Sequence, residues 1–183
     1  LRFLDQAKST YNLPFAKLCK EVFHARSESN DNFKYLRTLE SWFSKLESEP
    51  NFSKLSLTFR PVLHLILAVW RESRFFNSPA RLVVLMRKVC NALITQCRNY
   101  IGGKKIFDMI DAEETPKLVE MLRLTLKVLG SFKSCYFDYK AIANAECPNN
   151  QWRVQNNALF VRLDAFLERC HDLLELSQTI VNF

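Results

Sequence analysis

The sequence predicts an all-α fold, an antiparallel helical bundle or a stack of such bundles. The 183-residue chain is 48% hydrophobic and 13% aromatic, which is enough to bury a substantial core. It contains only 3 glycines, which leaves little turn material for a sheet of many strands. Apolar side chains also recur at three- and four-residue steps along most of the chain, as they do on the buried face of a helix.

The first predicted helix begins at Pro14, whose fixed φ suits the first helical turn. Its apolar stripe consists of Phe15, Leu18, Cys19, Val22 and Phe23. The polar residues SESND at 27–31 predict an interruption or a bend. The stripe then resumes with Tyr35, Leu36, Leu39, Trp42, Phe43 and Leu46, and Pro50 marks a loop.

The next two helices are separated by a break and a restart. Residues 61–76 form the second helix, and its first half is so uniformly apolar that neighbours should enclose it on most sides. Ser78 is a plausible N-cap and Pro79 occupies the first turn of the third helix. That helix is predicted to end before Gly102 and Gly103, because glycine commonly stops helices.

A further helix starts at Thr115 and Pro116, after acidic residues that favour the positive end of a helix dipole, namely Asp111, Glu113 and Glu114. Its stripe continues through Gly130 and contains Leu118, Leu122, Thr125, Leu129, Phe132, Tyr136 and Tyr139. Pro148 begins the next loop, and a final helix spans residues 157–179. Residues 1–183 therefore form one helical segment, in which residues 102–115 are a candidate sub-boundary.

Cys170 and His171 stand side by side among carboxylates in RLDAFLERCHDLLEL, at 162–176, and raise the question of a reactive site. The stripe in this stretch is Leu163, Phe166, Leu167, Cys170, Leu173 and Leu174. His171 points about 100° away from its neighbour, since helical residues are spaced by that angle. A nucleophilic cysteine needs a base within reach and a group that orients the base. We therefore predict a packing surface and no catalytic residues.

No metal, cofactor or phosphate site is predicted. The cysteines form no Cys-x-x-Cys pair, and the histidines are scattered, whereas zinc needs four converging ligands; the residues are Cys19, Cys90, Cys97, Cys135, Cys147, Cys170, His24, His64 and His171. The GGKK segment at 102–105 lacks the Ser or Thr of a Walker A motif and follows a helix. We expect reduced, mostly buried thiols, with disulfides as the alternative.

The net charge of +7 permits an acidic protein partner, a nucleic acid or an anionic membrane surface. Basic residues concentrate in the middle of the chain: Arg71, Arg74, Arg81, Arg87, Lys88, Arg98, Lys104 and Lys105. Few aromatic side chains lie between them to stack bases, which favours a solvated or protein-facing surface. The longest apolar run, residues 62–70, is shorter than the ~20 residues that span a bilayer and is predicted to be a buried helix.

The beginning of the chain leaves two origins open. It starts at Leu1 without an initiator Met and without a recognisable signal peptide, which indicates an excised fragment, although a mature secreted chain has the same appearance. A secreted four-helix cytokine-like protein, which should contain disulfides, is therefore one alternative. A basic helical nucleic-acid-binding module, with strongly salt-dependent affinity, is another.

Three long stretches resemble the N-terminal tail of dynein heavy chains of the axonemal, outer-arm type. They are KSTYNLPFAKLCKEVF at 8–23, NSPARLVVLMRKVCNALI at 77–94 and QNNALFVRLDAFLERCHDLLEL at 155–176, and the likeness extends over Leu1–Phe183. One departure is the pair Phe75 and Phe76, where tyrosines would be expected in many relatives. The resemblance implies part of an elongated tail built from consecutive α-helical bundles.

The same resemblance implies a role in assembly. The tail of such proteins joins heavy chains to each other, to intermediate and light chains, and to docking proteins on doublet microtubules in the ciliary axoneme. This places the chain in the cytoplasm and cytoskeleton, with no membrane or nucleic acid among its expected partners. ATP and magnesium are bound by the distant AAA+ ring, so this segment is not expected to be an enzyme. Exposed apolar faces at its ends should favour self-association of the isolated segment.

Overall fold

The computed structural model describes residue 6 and residues 10–102, 114–149 and 151–181. It contains helices α1 (Asn12–Ser48), α2 (Phe59–Glu72), α3 (Pro79–Ile101), α4 (Thr115–Glu146) and α5 (Asn156–Val181), and a 3-10 helix (Phe52–Thr58) directly before α2. No β-strand occurs in these ranges. The prediction of an all-α helical bundle is confirmed.

Helices that follow one another at each end of the chain pack in opposite directions. The C-terminal end of α2 contacts the middle of α1, where the Tyr35 hydroxyl donates to the Glu72 carbonyl oxygen at 3.2 Å. Helices α4 and α5 are joined by residues 147–155 and by an ion pair between Lys133 Nζ and Asp164 Oδ1 at 2.7 Å. Helix α3 packs against both antiparallel pairs.

Helices α3 and α5, in contrast, run parallel to each other. Arg87 donates from Nε and Nη2 to the Ala158 carbonyl oxygen at 3.1 and 2.6 Å. One turn further along both helices, Arg162 Nη1 donates to Asn91 Oδ1 at 3.3 Å. Both contacts advance by four residues in the same direction, so the C-terminal half of α3 lies beside the middle of α5.

The core is a continuous apolar cluster to which all five helices contribute. Helix α2 is its most enclosed element, as predicted: Val62, Leu63 and Ile66 have no exposed surface. The 3-10 helix and α2 together, Phe52–Glu72, form 21 residues that include an 18-residue window with a mean hydropathy of 1.3, long and apolar enough to cross a membrane by length and composition. Half of that window is buried inside the bundle, as expected for a core helix.

Aromatic rings fix the segment between α4 and α5 to the core. The Tyr136 ring lies 5.0 Å from the Phe160 ring and 6.0 Å from the Trp152 ring, measured between centroids. Trp152 also packs edge to face against Trp70 of α2 at 6.3 Å. The backbone N–H of Trp152 donates to Asn144 Oδ1 at 2.8 Å, which satisfies a donor outside the helices.

Helix α1 differs from the prediction in two respects. It continues through residues 27–31, so the predicted interruption is wrong. The polar side chains there have tertiary partners: Asp31 accepts a hydrogen bond from the Ser73 hydroxyl, and Glu28 pairs with Arg81. The N-terminal part of the apolar stripe is also uncovered, since Leu18 is 56% exposed and the ring of Phe23 68% exposed. A 3-10 helix occupies part of the predicted loop around Pro50.

The bounds of α3 agree with the prediction. Ser78 precedes Pro79 in an extended conformation, but its side chain makes no capping hydrogen bond. Gly102 follows the last helical residue with φ of 125°, which favours glycine. Gly103, Lys104, Lys105, Asp111 and Glu113 lie outside the described residues, and the sub-boundary near 102–115 stays a prediction.

The stripe of α5 is a packing surface, as predicted from its spacing. Leu163 and Cys170 are buried, and His171 is exposed. The remaining stripe residues are half-buried, namely Phe166, Leu167, Leu173 and Leu174. Alternating three- and four-residue steps therefore identify the correct face of this helix.

Glycine-to-alanine substitutions at two positions should have opposite effects. Gly130 lies in the middle of α4, and a Cβ added there would meet no atom within 4 Å. We expect Gly130→Ala to stabilise the protein by ~1 kcal/mol, because alanine is the better helix former. Gly102→Ala should instead destabilise it by about 1–3 kcal/mol through backbone strain. Urea unfolding followed by circular dichroism measures both, and a shared sign would contradict this assignment.

A second pair of variants tests the buried face of α5. Leu163 has no exposed surface, so Leu163→Ala should lower the free energy of unfolding by ~2–5 kcal/mol through lost burial and a cavity. His171→Ala removes an exposed side chain and should change it by less than ~0.5 kcal/mol. Equal urea midpoints for the two variants would show that the face is assigned wrongly.

Candidate functional site

The Cys170 thiol and the His171 imidazole do not form a reactive pair. Cys170 is buried between α3, α4 and α5, and this burial raises the pKa of its thiol to about 11. His171 is exposed on a different face of the helix, about 100° away. A thiol that stays protonated at neutral pH and lacks a base within reach is not an activated nucleophile.

The cysteines act as small core side chains. All six are free, so the alternative of a disulfide framework is wrong. Burial raises the pKa of Cys90 to about 12, with a smaller contribution from the Asp164 carboxylate. Burial likewise raises the pKa of Cys97 to about 12. Cys90, Cys97 and Cys170 are buried, whereas Cys19, Cys135 and Cys147 are only half-buried.

Histidine, cysteine and carboxylate side chains are dispersed over the bundle. Within residues 10–102, 114–149 and 151–181, no three of them converge in a way that could hold a metal ion. His24 contacts the Phe75 ring edge to face at 5.3 Å, and His64 contacts the Tyr139 ring at 6.4 Å. These histidines pack against aromatic side chains, and each is exposed.

Several basic residues of the middle region contact residues of neighbouring helices. Arg71 pairs with Glu146 at 3.0 Å, which links α2 to the end of α4. Arg81 pairs with Glu28 of α1. The Lys88 ammonium lies 5.3 Å from the centroid of the Phe43 ring, and Arg87 holds the carbonyl of Ala158 as described above. These contacts connect neighbouring helices.

One groove with mixed charge lies between α1 and α3. This α1–α3 groove has a volume of about 770 Å³. Its apolar lining includes Leu36, Phe43, Val84 and Leu85, and its charged lining includes Glu40, Glu47, Arg37, Arg81 and Lys88. Acidic, basic and apolar side chains therefore line the same groove.

A second groove, between α3 and α5, carries charge of one sign. This α3–α5 groove has a volume of about 1000 Å³ and is lined by three arginines, Arg98, Arg162 and Arg169. The sequence prediction included Arg98 but missed the two on α5. Arg162 and Arg169 are seven residues apart, which places them on one face of a helix, and this spacing was the available signal. Their proximity to Arg98 depends on the parallel packing of α3 and α5.

Comparison with known proteins identifies relatives along the whole chain. Residues 1–183 match the family model described as dynein heavy chain, N-terminal region 1. The chain is 42% identical over 183 residues to the dynein beta chain of the flagellar outer arm of Chlamydomonas reinhardtii. It is 32% identical over 180 residues to the dynein-1-beta heavy chain of the inner arm I1 complex of the same alga, and 29% identical over 186 residues to human dynein axonemal heavy chain 9.

These matches cover nearly all of this chain and a small part of each relative. The aligned region is 98–100% of this chain but 4% of each of the three relatives. The similarity therefore concerns one helical region of very long proteins.

Alkylation should separate the two classes of thiol. Iodoacetamide reacts with the thiolate, and burial keeps three thiols protonated and covered. At pH 8 we expect Cys19, Cys135 and Cys147 of the native protein to be modified first, and Cys90, Cys97 and Cys170 to be modified slowly, as followed by peptide mass spectrometry. In urea the six rates should become similar. Rapid native labelling of Cys97 would contradict the packing of α3.

Proposed function

Because this chain belongs to the family of dynein heavy chain N-terminal regions, we propose that it is an assembly scaffold within the tail of a microtubule motor. The observation that carries this proposal is the family match over all of residues 1–183. The N-terminal tail region of dynein heavy chains is not their catalytic region. The ATP-driven motor ring, with its bound ATP and magnesium, would belong to another part of the parent protein.

The proposed mechanism is mechanical. A continuous core holds the five helices together, and burial stabilises such a core by roughly 25 cal/mol per Å² of apolar surface. Ion pairs and hydrogen bonds between helices, such as those of Arg71 and Arg87, add specific cross-links. A bundle packed in this way resists bending and transmits force between its ends, while its charged outer faces remain available for docking.

The proposed partners are other components of the motor: intermediate chains, light chains, other heavy chains and docking proteins on doublet microtubules. The relatives named above include flagellar outer-arm and axonemal heavy chains, which supports a location in the cytoskeleton of the ciliary axoneme. Within the tail, a sub-boundary near residues 102–115 remains part of this proposal. The six free thiols speak against the secreted cytokine alternative.

Pull-down with purified components tests the scaffold function. We expect the immobilised chain to retain a purified complex of axonemal intermediate and light chains, or the purified tail segments that flank it in the heavy chain. Retention should weaken with rising salt if charged faces contribute. The measurement is the amount of each named component that is eluted, at low and at high salt.

The control is the Leu163→Ala variant, because it perturbs the core and leaves every charged side chain in place. It should show reduced retention only to the extent that circular dichroism shows reduced helicity. If a fully helical chain retains none of the named components at any salt concentration, the docking role is refuted and the segment serves as a spacer.

A further inference from the structure

No described residue neutralises Arg98, Arg162 and Arg169 of the α3–α5 groove. All three are exposed, and no described residue that lines the groove is acidic. The Arg162 side chain donates one hydrogen bond to Asn91, while the side chains of Arg98 and Arg169 make no hydrogen bond or ion pair with a described residue. Three like charges in one groove repel each other, so their arrangement costs electrostatic free energy.

Three other arginines of the bundle behave differently. Arg71 and Arg81 each face a carboxylate, and Arg87 grips a backbone carbonyl. Those side chains connect helices. Among the described residues, the guanidinium groups of Arg98 and Arg169 have no acceptor, and together with Arg162 they define one surface that is electrostatically complementary to negative charge.

The groove also offers apolar surface between the charges. Ile94 on α3 and Phe166 and Leu173 on α5 are half-buried and line it, and Ala165 is exposed at its edge. A small anion would leave this apolar surface in contact with water. An occupant that satisfies the whole groove must therefore present apolar side chains on one face and carboxylates beside them.

The dimensions of the groove match a short helix. Its lining on α3 extends from Asn91 to Ile101, which corresponds to roughly 15 Å or three helical turns. Because α3 and α5 are parallel, their side chains form two walls of similar length with a channel between them. An amphipathic helix placed in such a channel buries its apolar face and extends its acidic edges towards both walls.

We propose that the α3–α5 groove docks an acidic amphipathic helix, of about three turns, from another protein of the motor complex. The apolar face of that helix rests on Ile94 and Phe166. Its carboxylates accept hydrogen bonds from Arg98, Arg162 and Arg169, whose planar guanidinium groups suit bidentate pairing. This assignment rests on the scaffold function proposed above and names the chemistry of one docking surface.

A protein helix fits this groove better than a nucleic acid does. Among the described residues that line it, Phe166 is the aromatic one, and its ring is half-buried between helices. Binding of single strands depends on several exposed rings that stack successive bases. The phosphate backbone would also leave the apolar floor uncovered.

The test uses a fluorescent peptide of about 14 residues with glutamate and leucine on opposite faces of a helix. Its affinity for the 183-residue chain is measured by fluorescence anisotropy at low and high salt. We expect the double variant Arg98→Glu/Arg169→Glu to bind at least ~10-fold more weakly. Ala165→Trp, which fills the groove and keeps every charge, should weaken binding to a similar extent.

The matched control is Arg60→Glu/Arg123→Glu. It makes the same change in net charge at two exposed arginines that do not line the groove, and it should bind like the unmodified chain. Circular dichroism must show equal helicity for all variants. The proposal would be overturned if the control variant weakened peptide binding as much as the groove variants do. It would also be overturned if an oligonucleotide or a sequence-scrambled peptide bound as tightly as the designed peptide. Either result would show only a general attraction between opposite charges.

Combining this assay with the pull-down distinguishes the two proposals. If the unmodified chain and the Arg98→Glu/Arg169→Glu variant retain intermediate and light chains equally, the groove is not the docking surface and the scaffold function stands. If the chain retains no motor component but binds the peptide through the groove, the scaffold function is refuted. The groove is then still a binding site for an acidic amphipathic helix.

Discussion

The structure depends on one aromatic contact, the burial of the Tyr136 ring against Trp152 and Phe160. At this point α2, α4, α5 and the segment between the last two helices meet, since Trp152 also reaches Trp70. The burial of these rings raises the pKa of the Tyr136 hydroxyl to about 12. Large, rigid rings bury much area for little lost side-chain freedom, so a few of them are enough to fix the relative positions of three helices.

The parallel packing of α3 and α5 follows from that contact. Because Trp152 and Phe160 hold the beginning of α5 against α2 and α4, the rest of α5 is directed along α3. Asp164 on its outer side pairs with Lys133 of α4, while Arg162 turns towards Asn91 of α3. The three arginines of the groove are thus positioned by the packing of α3 against α5, and not by a loop.

Much of this fold was predictable from local sequence, and the exceptions have a common cause. Pro79 and Gly102 bound α3 because both act through the backbone of their own turn. Residues 27–31 misled the prediction because their polar side chains bind Ser73 and Arg81, which are distant in sequence. Arg98 and Arg169 meet in one groove for the same kind of reason. Contacts across the bundle decide such features, and a helical pattern carries no information about which helices become neighbours.

The uncovered half of α1 gives this single helix two very different local stabilities. Its C-terminal half is anchored by Leu39, Phe43 and Leu46 in the core, whereas residues 12–26 extend about 22 Å with few tertiary partners. An isolated helix of that length is marginal in water. Its backbone amides should therefore exchange with solvent through local fraying, long before the bundle opens, and a surface that covers this half would convert the fraying end into a rigid continuation of the core.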